Sequence, residues 1–454
     1  MTKSQSKQRK HSRRTKKEQR VINHDCAGID VGADEVYVAV EPNRADKSVR
    51  KFGTTTPDLQ EMACWLKKLK ITSVAMESTG VYWIPVYSVL ESCDIETHLV
   101  DARRLHTAPG RKTDVCDAQW LQELHSFGLL SKVVILPEEN RRLRALLRLR
   151  ENHVRSQGQA IQRMQKSMTE MNIRLDRVLT DITGKTGMMI LRSIIKGRRS
   201  PEELIKFRHG NCKHSPEDFV KALTGYYTSE HLFALEQHLE TFDYFEGQLS
   251  KCESQVTTLL ESMKGKGSVD AGEHPLAEFT PLNGHSNPED ILTKRLHELY
   301  GVDLTKIPSI GTQTALTLLA EVGSDLSRWR SEKAFSSWLG LCPHPRISGG
   351  AILSTKTKRS SNRAARALRM AASSLYRSDT FIGAFHNRMR FRKTKASAVT
   401  ATAHMLARII WNCVTSQSEY KERGSEKFAV QHRERQLRRL ERLAKELNIQ
   451  IAAA

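Results

Sequence analysis

Four acidic residues stand where metal-assisted chemistry would need them. Asp114 and Asp117 lie three residues apart at the head of an apolar periodicity through Val115, Ala118, Leu121 and Leu124. That period predicts a helix, and on a helix the two carboxylates share one face, one turn apart. Asp30 ends the apolar run Cys26-Ala27-Gly28-Ile29, and Glu77 ends Ser73-Val74-Ala75-Met76. Both runs read as short buried strands. An isolated Asp-x-x-Asp usually marks a solvated helix face, but two strand-borne acids add weight to this one. Carboxylates gathered in one cluster repel each other unless a cation neutralises them. An all-carboxylate donor set is hard oxygen and suits Mg2+ or Mn2+. Two such ions about 4 Å apart can activate a nucleophile and stabilise a leaving oxygen on phosphorus. The first expectation is therefore phosphodiester chemistry.

Ser348 is the second candidate. It reads as part of a loop, followed by Gly349 and Gly350, which allow close backbone approach to a ligand. A serine hydroxyl needs a base or a metal to become a nucleophile. Arg346 precedes it, and Lys356, Lys358, Arg359, Arg363 and Arg366 follow. Those cations would stabilise charge on an attacked phosphate and hold nucleic acid. The competing reading of Ser348 is an ordinary serine in a glycine-rich turn.

Bulk properties narrow the partner. The chain has 454 residues, with 72 Lys+Arg against 51 Asp+Glu, a net charge of +21. Such an excess favours a polyanion, nucleic acid ahead of a membrane surface. No apolar run is long enough to span a bilayer. Residues 1–20 carry nine Lys/Arg and one Glu without an apolar core, so they do not read as a secretory signal. Eight scattered cysteines without a Cys-x-x-Cys pair suit a reducing cytoplasm. His209, Cys212 and His214 lack a fourth ligand at zinc-site spacing.

The elements that must position these residues fall in a recognisable order. Residues 1–24 read as a disordered basic arm. From 25 to 135 the pattern gives strands at Ala27–Val31, Val36–Glu41 and Val49–Thr54, then a helix from Pro57 to Leu69 with Thr56 as N-cap. Strand Ser73–Met76, a helix Tyr82–Glu91, strand Glu96–Val100 and the Asp114 helix complete it. Three strands, then alternating helix and strand, is the order of an RNase H-like fold. From Glu138 to Leu179 a heptad seam runs through Leu147, Val154, Ile161, Met168 and Leu175, with Leu143, Met164, Met171 and Val178 in much of the second seam position and Arg150 and Gln157 interrupting it. A second seam uses Leu235, Phe242, Leu249, Val256 and Met263. Paired seams predict an antiparallel hairpin or an intermolecular coiled coil within 136–290, which ends in a polar linker over 264–288. Residues 291–415 read as a mostly helical domain carrying Ser348. Its turn Ile307-Pro308-Ser309-Ile310-Gly311 is similar to a helix-hairpin-helix turn. A charged helix over 416–454 carries a stripe of Leu437, Leu440, Leu443 and Leu447.

These motifs, taken together and in order, resemble a known family. Gly28-Ile29-Asp30-Val31, Met76-Glu77-Ser78-Thr79-Gly80-Val81-Tyr82-Trp83 and Lys112-Thr113-Asp114-x-x-Asp117-Ala118 resemble the RuvC-like half of DEDD transposases of the insertion-sequence 110 type. Ile307-Pro308-Ser309-Ile310-Gly311-Thr312-x-Thr314-Ala315, Gly340-Leu341-x-Pro343, Ile347-Ser348-Gly349-Gly350 and the region from Asn362 to Leu368 resemble its C-terminal transposase half. Ser361 stands where that family commonly has glycine before the matched Asn362. The resemblance covers roughly residues 25–415 and implies α/β plus all-α architecture, with a RuvC-like domain, coiled-coil helices and a helical transposase domain. It implies that Asp30, Glu77, Asp114 and Asp117 form the metal-binding tetrad, and that Ser348 becomes linked to a DNA phosphate. It also implies a structured guide RNA encoded by the element, and a dimer or tetramer in which one subunit's acids complete another's serine site. A cytoplasmic, nucleoid-associated location follows from the same resemblance. The expected activity is DNA transposition or recombination. The rival enzyme is a metal-dependent RuvC-like junction endonuclease without a serine intermediate. The non-enzymatic rival is a nucleic-acid-binding protein with a defunct fold.

Overall fold

The computed structural model describes residues 21–78, 80–100, 114–130, 133, 135–263, 265, 288–358 and 360–447. The chain divides into two compact units, Met1–Ile135 and Leu136–Ala454. Most of the expected basic arm, most of the expected linker, and Lys112, Thr113 and Arg359 lie outside the described residues.

The first unit is built on one mixed sheet. Its strands are β1 (Cys26–Val31), β2 (Glu35–Val40), β3 (Val49–Gly53), β4 (Ser73–Glu77) and β5 (Glu96–Val100). They lie in the order β3-β2-β1-β4-β5. β1–β2 and β2–β3 pair antiparallel, β1–β4 and β4–β5 parallel. The helices are α1 (Thr56–Lys68), α2 (Trp83–Ser92) and α3 (Asp114–Ser126). Strand alternation sorts the side chains. Ala27, Ile29, Val31, Val36, Val38, Val74 and Met76 point into a core with Leu59, Met62 and Leu66 of α1 and Val86 and Leu90 of α2. The opposite face of β1 and β2 is covered by α3. The N-cap of α1 is Thr55, one residue earlier than the sequence suggests. The reason is the Asp58 carboxylate, which accepts from the backbone N–H of Thr55 at 3.3 Å and from its hydroxyl. Ile22 and Asn23, assigned to the arm by charge pattern, donate backbone N–H bonds to the Ser126 carbonyl at 2.8 and 3.0 Å. The orphan carbonyls at the end of α3 supply the reason.

The second unit is helical apart from one hairpin. Helix α4 (Glu138–Glu170) is followed by short helices α5 (Leu175–Val178), α6 (Lys185–Ile195), α7 (Pro201–Leu204) and α8 (Pro216–Leu223). Helix α9 (Ser229–Ser262) then runs back along α4 in the opposite direction. Leu143 near the start of α4 shares a core with Val256, Leu259 and Leu260 near the end of α9. Ala160, Met164 and Met168 meet Leu235, Leu239 and Phe242 at the other end, over α5 to α8. The seam is interrupted at Arg150 as its spacing predicts, but its first position is not buried throughout. Val154 is 44% exposed, and at this level Arg150 pairs with Glu253 at 2.8 Å instead. Leu175 is buried, but in a separate helix, because the chain leaves α4 through Asn172 in the left-handed region at φ 57°.

The rest of the unit comprises α10 (Pro288–Tyr300), α11 (Thr312–Val322), α12 (Glu332–Trp338), strands β6 (Arg346–Ser348) and β7 (Ala351–Ser354), α13 (Arg363–Ser374), α14 (Phe381–Arg392), α15 (Lys395–Ser416) and α16 (Gly424–Glu446). Ile307 and Ile310, on either side of the turn before α11, are buried in its core with Leu316, Leu319, Leu368, Leu406 and Ile410. The leucine stripe of α16 is exposed. No helix among the described residues is long and apolar enough to cross a membrane.

Candidate active site

The acids of the first unit converge for reasons visible residue by residue. β1 and β4 run parallel with Ile29 opposite Met76. Asp30 and Glu77 are the next residues, so their carboxylates leave the same end of adjacent strands. Gly28 then decides where the helix lies. A Cβ there would sit 2.2 Å from the Ala118 carbonyl oxygen and 2.3 Å from the Gln122 nitrogen. Only glycine lets the α3 backbone rest on β1 this closely. That contact brings the first turn of α3, with Asp114 and Asp117, to the end of the sheet. Ser78 closes the neighbouring edge, its backbone N–H and hydroxyl both donating to the Val100 carbonyl, at 3.2 and 3.1 Å.

The electrostatics agree with this placement. Burial pushes the Asp30 carboxyl up to about 6, and the negative charges of Asp114, Glu77 and Asp117 add to it. Asp30 therefore feels all three of the other expected acids. Among the described residues, however, no three His, Cys, Asp or Glu side chains are drawn in to metal-binding geometry. The acids are close enough to repel but not folded around one point. Their chemistry still fits a divalent cation: the donors are all carboxylate oxygen, and their mutual repulsion is what such an ion would relieve.

Ser348 lies in the second unit, and not in an irregular loop. It is the last residue of β6, paired with Ala351 across a two-residue turn. Gly349 and Gly350 occupy that turn at φ 56° and 79°. Two successive left-handed residues make a tight hairpin turn whose twist matches the strands. The glycines thus serve the turn first, and present Ser348 at its shoulder. The hairpin stands clear of the core, with Ile347 62% and Ile352 64% exposed. The Ser348 hydroxyl has no hydrogen-bond partner among the described residues. Exposed Arg346, Lys356 and Lys358 flank it and enter no ion pair there.

The remaining cations are deployed differently. Arg363 and Arg366 of α13 both pair with Glu151 of α4. Burial pushes the Glu151 carboxyl up, but Arg366, Arg363 and Arg155 more than offset it and hold it below the usual range. Glu151 is the residue that the sequence reading missed. Nothing in the spacing of a glutamate on a long charged helix marks it as the counter-ion of residues more than two hundred positions away. Asn362 caps α13, its side chain accepting from the Ala365 N–H at 3.1 Å, while Ser360 accepts from the Asn362 N–H at 3.1 Å. The cap therefore forms with Ser361 in place of glycine.

Comparison with known proteins bears on both units. Residues 27–173, which include all four acids, match the family model of the IS110-type DEDD transposases, described as a transposase. Residues 303–387, which include Ser348, match the model of the IS116/IS110/IS902 transposase family. No curated protein matches the chain. Two models of one kind of enzyme, in this order along one polypeptide, together take in about half of it. The chain belongs to the IS110 family of DNA transposases.

Proposed function

We propose that this transposase cuts and rejoins DNA with two sets of residues: an acidic tetrad of Asp30, Glu77, Asp114 and Asp117 on an RNase H-like unit, and Ser348 as nucleophile. The observation that carries the reading is the collection of four acids from β1, β4 and α3 at one end of the sheet, made possible by Gly28. The strand order β3-β2-β1-β4-β5 supports the RNase H-like assignment. The tetrad would hold Mg2+ or Mn2+, which when bound supplies Lewis-acid polarisation of a phosphate oxygen. Ser348 Oγ attacks phosphorus, the bond to one ribose oxygen breaks, and the DNA strand is left esterified to the protein. The serine proton passes to a tetrad carboxylate, and the departing sugar oxygen takes up a proton to leave as a hydroxyl. Attack by a hydroxyl of another strand reverses these bond changes and frees Ser348, so strands are exchanged without net hydrolysis. Arg346, Lys356 and Lys358 stabilise the charge on the attacked phosphate.

Partners follow from the same reading. DNA is the substrate, and the net charge of +21 supports a second polyanion, a structured guide RNA. The working form is a homo-oligomer, a dimer or tetramer, in which the acids of one subunit serve Ser348 of another. The exposed leucine stripe on α16 supports an assembly that covers it. The paired helices α4 and α9 constitute the coiled-coil region.

Mixing tests the scheme. Asp114→Asn protein and Ser348→Ala protein are each expected to be inactive in strand exchange, and mixed oligomers to recover part of it. Peptide mass analysis of trapped reactions should find DNA on Ser348. That the Ser348 hydroxyl has no hydrogen-bond partner among the described residues favours one alternative, a metal-dependent junction endonuclease. Metal-dependent cleavage without any adduct, by a fully active Ser348→Ala protein, would establish that alternative and refute the nucleophile.

A further inference from the structure

The short helices between α4 and α9 hold a second candidate site, unrelated to the acids or to Ser348. Helix α6 begins Gly184-Lys185-Thr186-Gly187, and its N-cap is Gly184, which offers no side chain to the first turn. The backbone N–H groups of that turn have no intrahelical acceptor and carry the positive end of the helix dipole. They border a cavity of about 590 Å3. Thr186 lines it, is only 8% exposed, and its hydroxyl has no hydrogen-bond partner among the described residues. The Thr186 hydroxyl is not sealed from solvent, so it is available to a group that enters the cavity. Gly187 shapes the cradle, because a Cβ there would stand 2.1 Å from the Ile182 carbonyl oxygen, so only glycine lets the preceding loop fold this tightly against the helix.

The charge around this cradle is positive. Lys185 and Lys206 are exposed at its rim and enter no ion pair among the described residues. His209 accepts the Asn211 backbone N–H on Nδ1 at 3.2 Å, which leaves Nε2 as its donor. Arg208 braces the wall by donating to the carbonyls of Cys212 and His214, both at 2.8 Å. The one carboxylate in the lining, Asp181, is occupied by the N–H and hydroxyl of Thr183 at 2.8 and 2.7 Å.

We propose that the α6 N-terminus binds a backbone phosphate of nucleic acid, held by the free amides, the Thr186 hydroxyl and the ammonium groups of Lys185 and Lys206. Uncapped helix N-termini with a lysine and a hydroxyl suit tetrahedral oxyanions. The open, lysine-lined rim suits a phosphate carried on a polymer. The proposal rests on the transposase reading only in taking nucleic acid as the source of the phosphate. It assigns the helices between α4 and α9 a role as an anchoring module.

The test uses full-length protein carrying Ser348→Ala, so that binding is measured without turnover. Anisotropy of a labelled random-sequence duplex DNA and a labelled stem-loop RNA is followed over a salt series. Lys185→Gln/Lys206→Gln is expected to reduce the slope of log affinity against log salt by about 1 to 2, since each lost phosphate contact removes about one ion. Thr186→Val, which keeps the side-chain shape, is expected to weaken binding several-fold with little change of slope. An effect on DNA alone or RNA alone identifies which polymer supplies the phosphate, and either supports the site. Unchanged slopes for both polymers in the lysine variant, whose substituted positions are exposed and which should melt like its parent, would overturn the proposal. Inorganic phosphate that protects the Lys185–Gly187 amides from hydrogen exchange, when neither polymer does, would overturn the nucleic-acid assignment. Failure of the catalytic reading is a separate observation, full strand exchange by the Ser348→Ala protein.

Discussion

Asp30 ties the chemistry of the first unit to its stability. Its carboxyl, pushed up to about 6 by burial and three acidic neighbours, keeps its proton in the folded chain over a range where the unfolded chain has lost it. Folding therefore takes up a proton between about pH 4 and 6. The favourable contribution is full below the unfolded value and is lost as pH rises through the folded one. In chelator, the melting temperature of Asp30→Asn should accordingly gain on that of the parent as pH is raised from about 4 to 7. Added Mg2+ at pH 7 should raise the parent's midpoint and leave the variant's nearly unchanged. Parallel pH profiles for the two proteins would mean that the four carboxylates do not meet. Gly28 works at the same scale. Its absent side chain sets the distance between strand and helix, and so whether Asp30 has those neighbours at all.

Among the elements, the hairpin β6–β7 holds the proposed nucleophile on little packing. Its side chains are mostly exposed, and its turn depends on two glycines at positive φ. A β-branched residue in that region is strained by roughly 1–2 kcal/mol. Gly349→Val/Gly350→Val should therefore shift the hairpin register and lower strand exchange at least tenfold, by a rough rate-for-energy conversion. The melting temperature of the protein should hardly move, because the hairpin contributes little to the core. Full activity in this double variant would show that Ser348 needs no defined turn. Helix α4 shows the opposite balance. Its two ends are embedded in separate cores, while its middle is bound by ion pairs and leaves Val154 exposed. A heptad pattern registers apolar spacing, but it is blind to whether a partner helix covers every position.

At the scale of the whole molecule, charge is the dominant feature. The excess of 21 positive charges is distributed over a chain whose folded parts already pair many of their arginines with glutamates. Nine Lys/Arg in residues 1–20 have a single Glu for local compensation. Deleting residues 1–20 should reduce the salt slope of DNA binding by at least about 2, uniformly across sequences, since the arm offers phosphate contacts rather than base readout. An unchanged slope would make the arm a passive tail. Because the arm and the α6 site would both act through phosphates, combining the deletion with Lys185→Gln/Lys206→Gln should give additive losses of slope.

The sequence by itself determined the strand order, the helix that bears Asp114 and Asp117, and the family. These depend on local periodicity, on the chemistry of acids ending apolar runs, and on the order of short motifs. It also marked Ser348 by its glycines, though not the strands on either side of them. A loop was expected where paired strands and two left-handed residues make a hairpin, because exposed three- and four-residue strands leave almost no apolar alternation to read. What only the tertiary structure decided were the pairings between distant segments. Glu151 neutralises Arg363 and Arg366, Arg150 finds its counter-ion in Glu253, and Thr186 lines a cavity at an uncapped helix N-terminus. The physical reason is the same in each case. A charge or hydroxyl is defined by what lies within a few ångströms of it, and those neighbours come from whichever segments packing brings together.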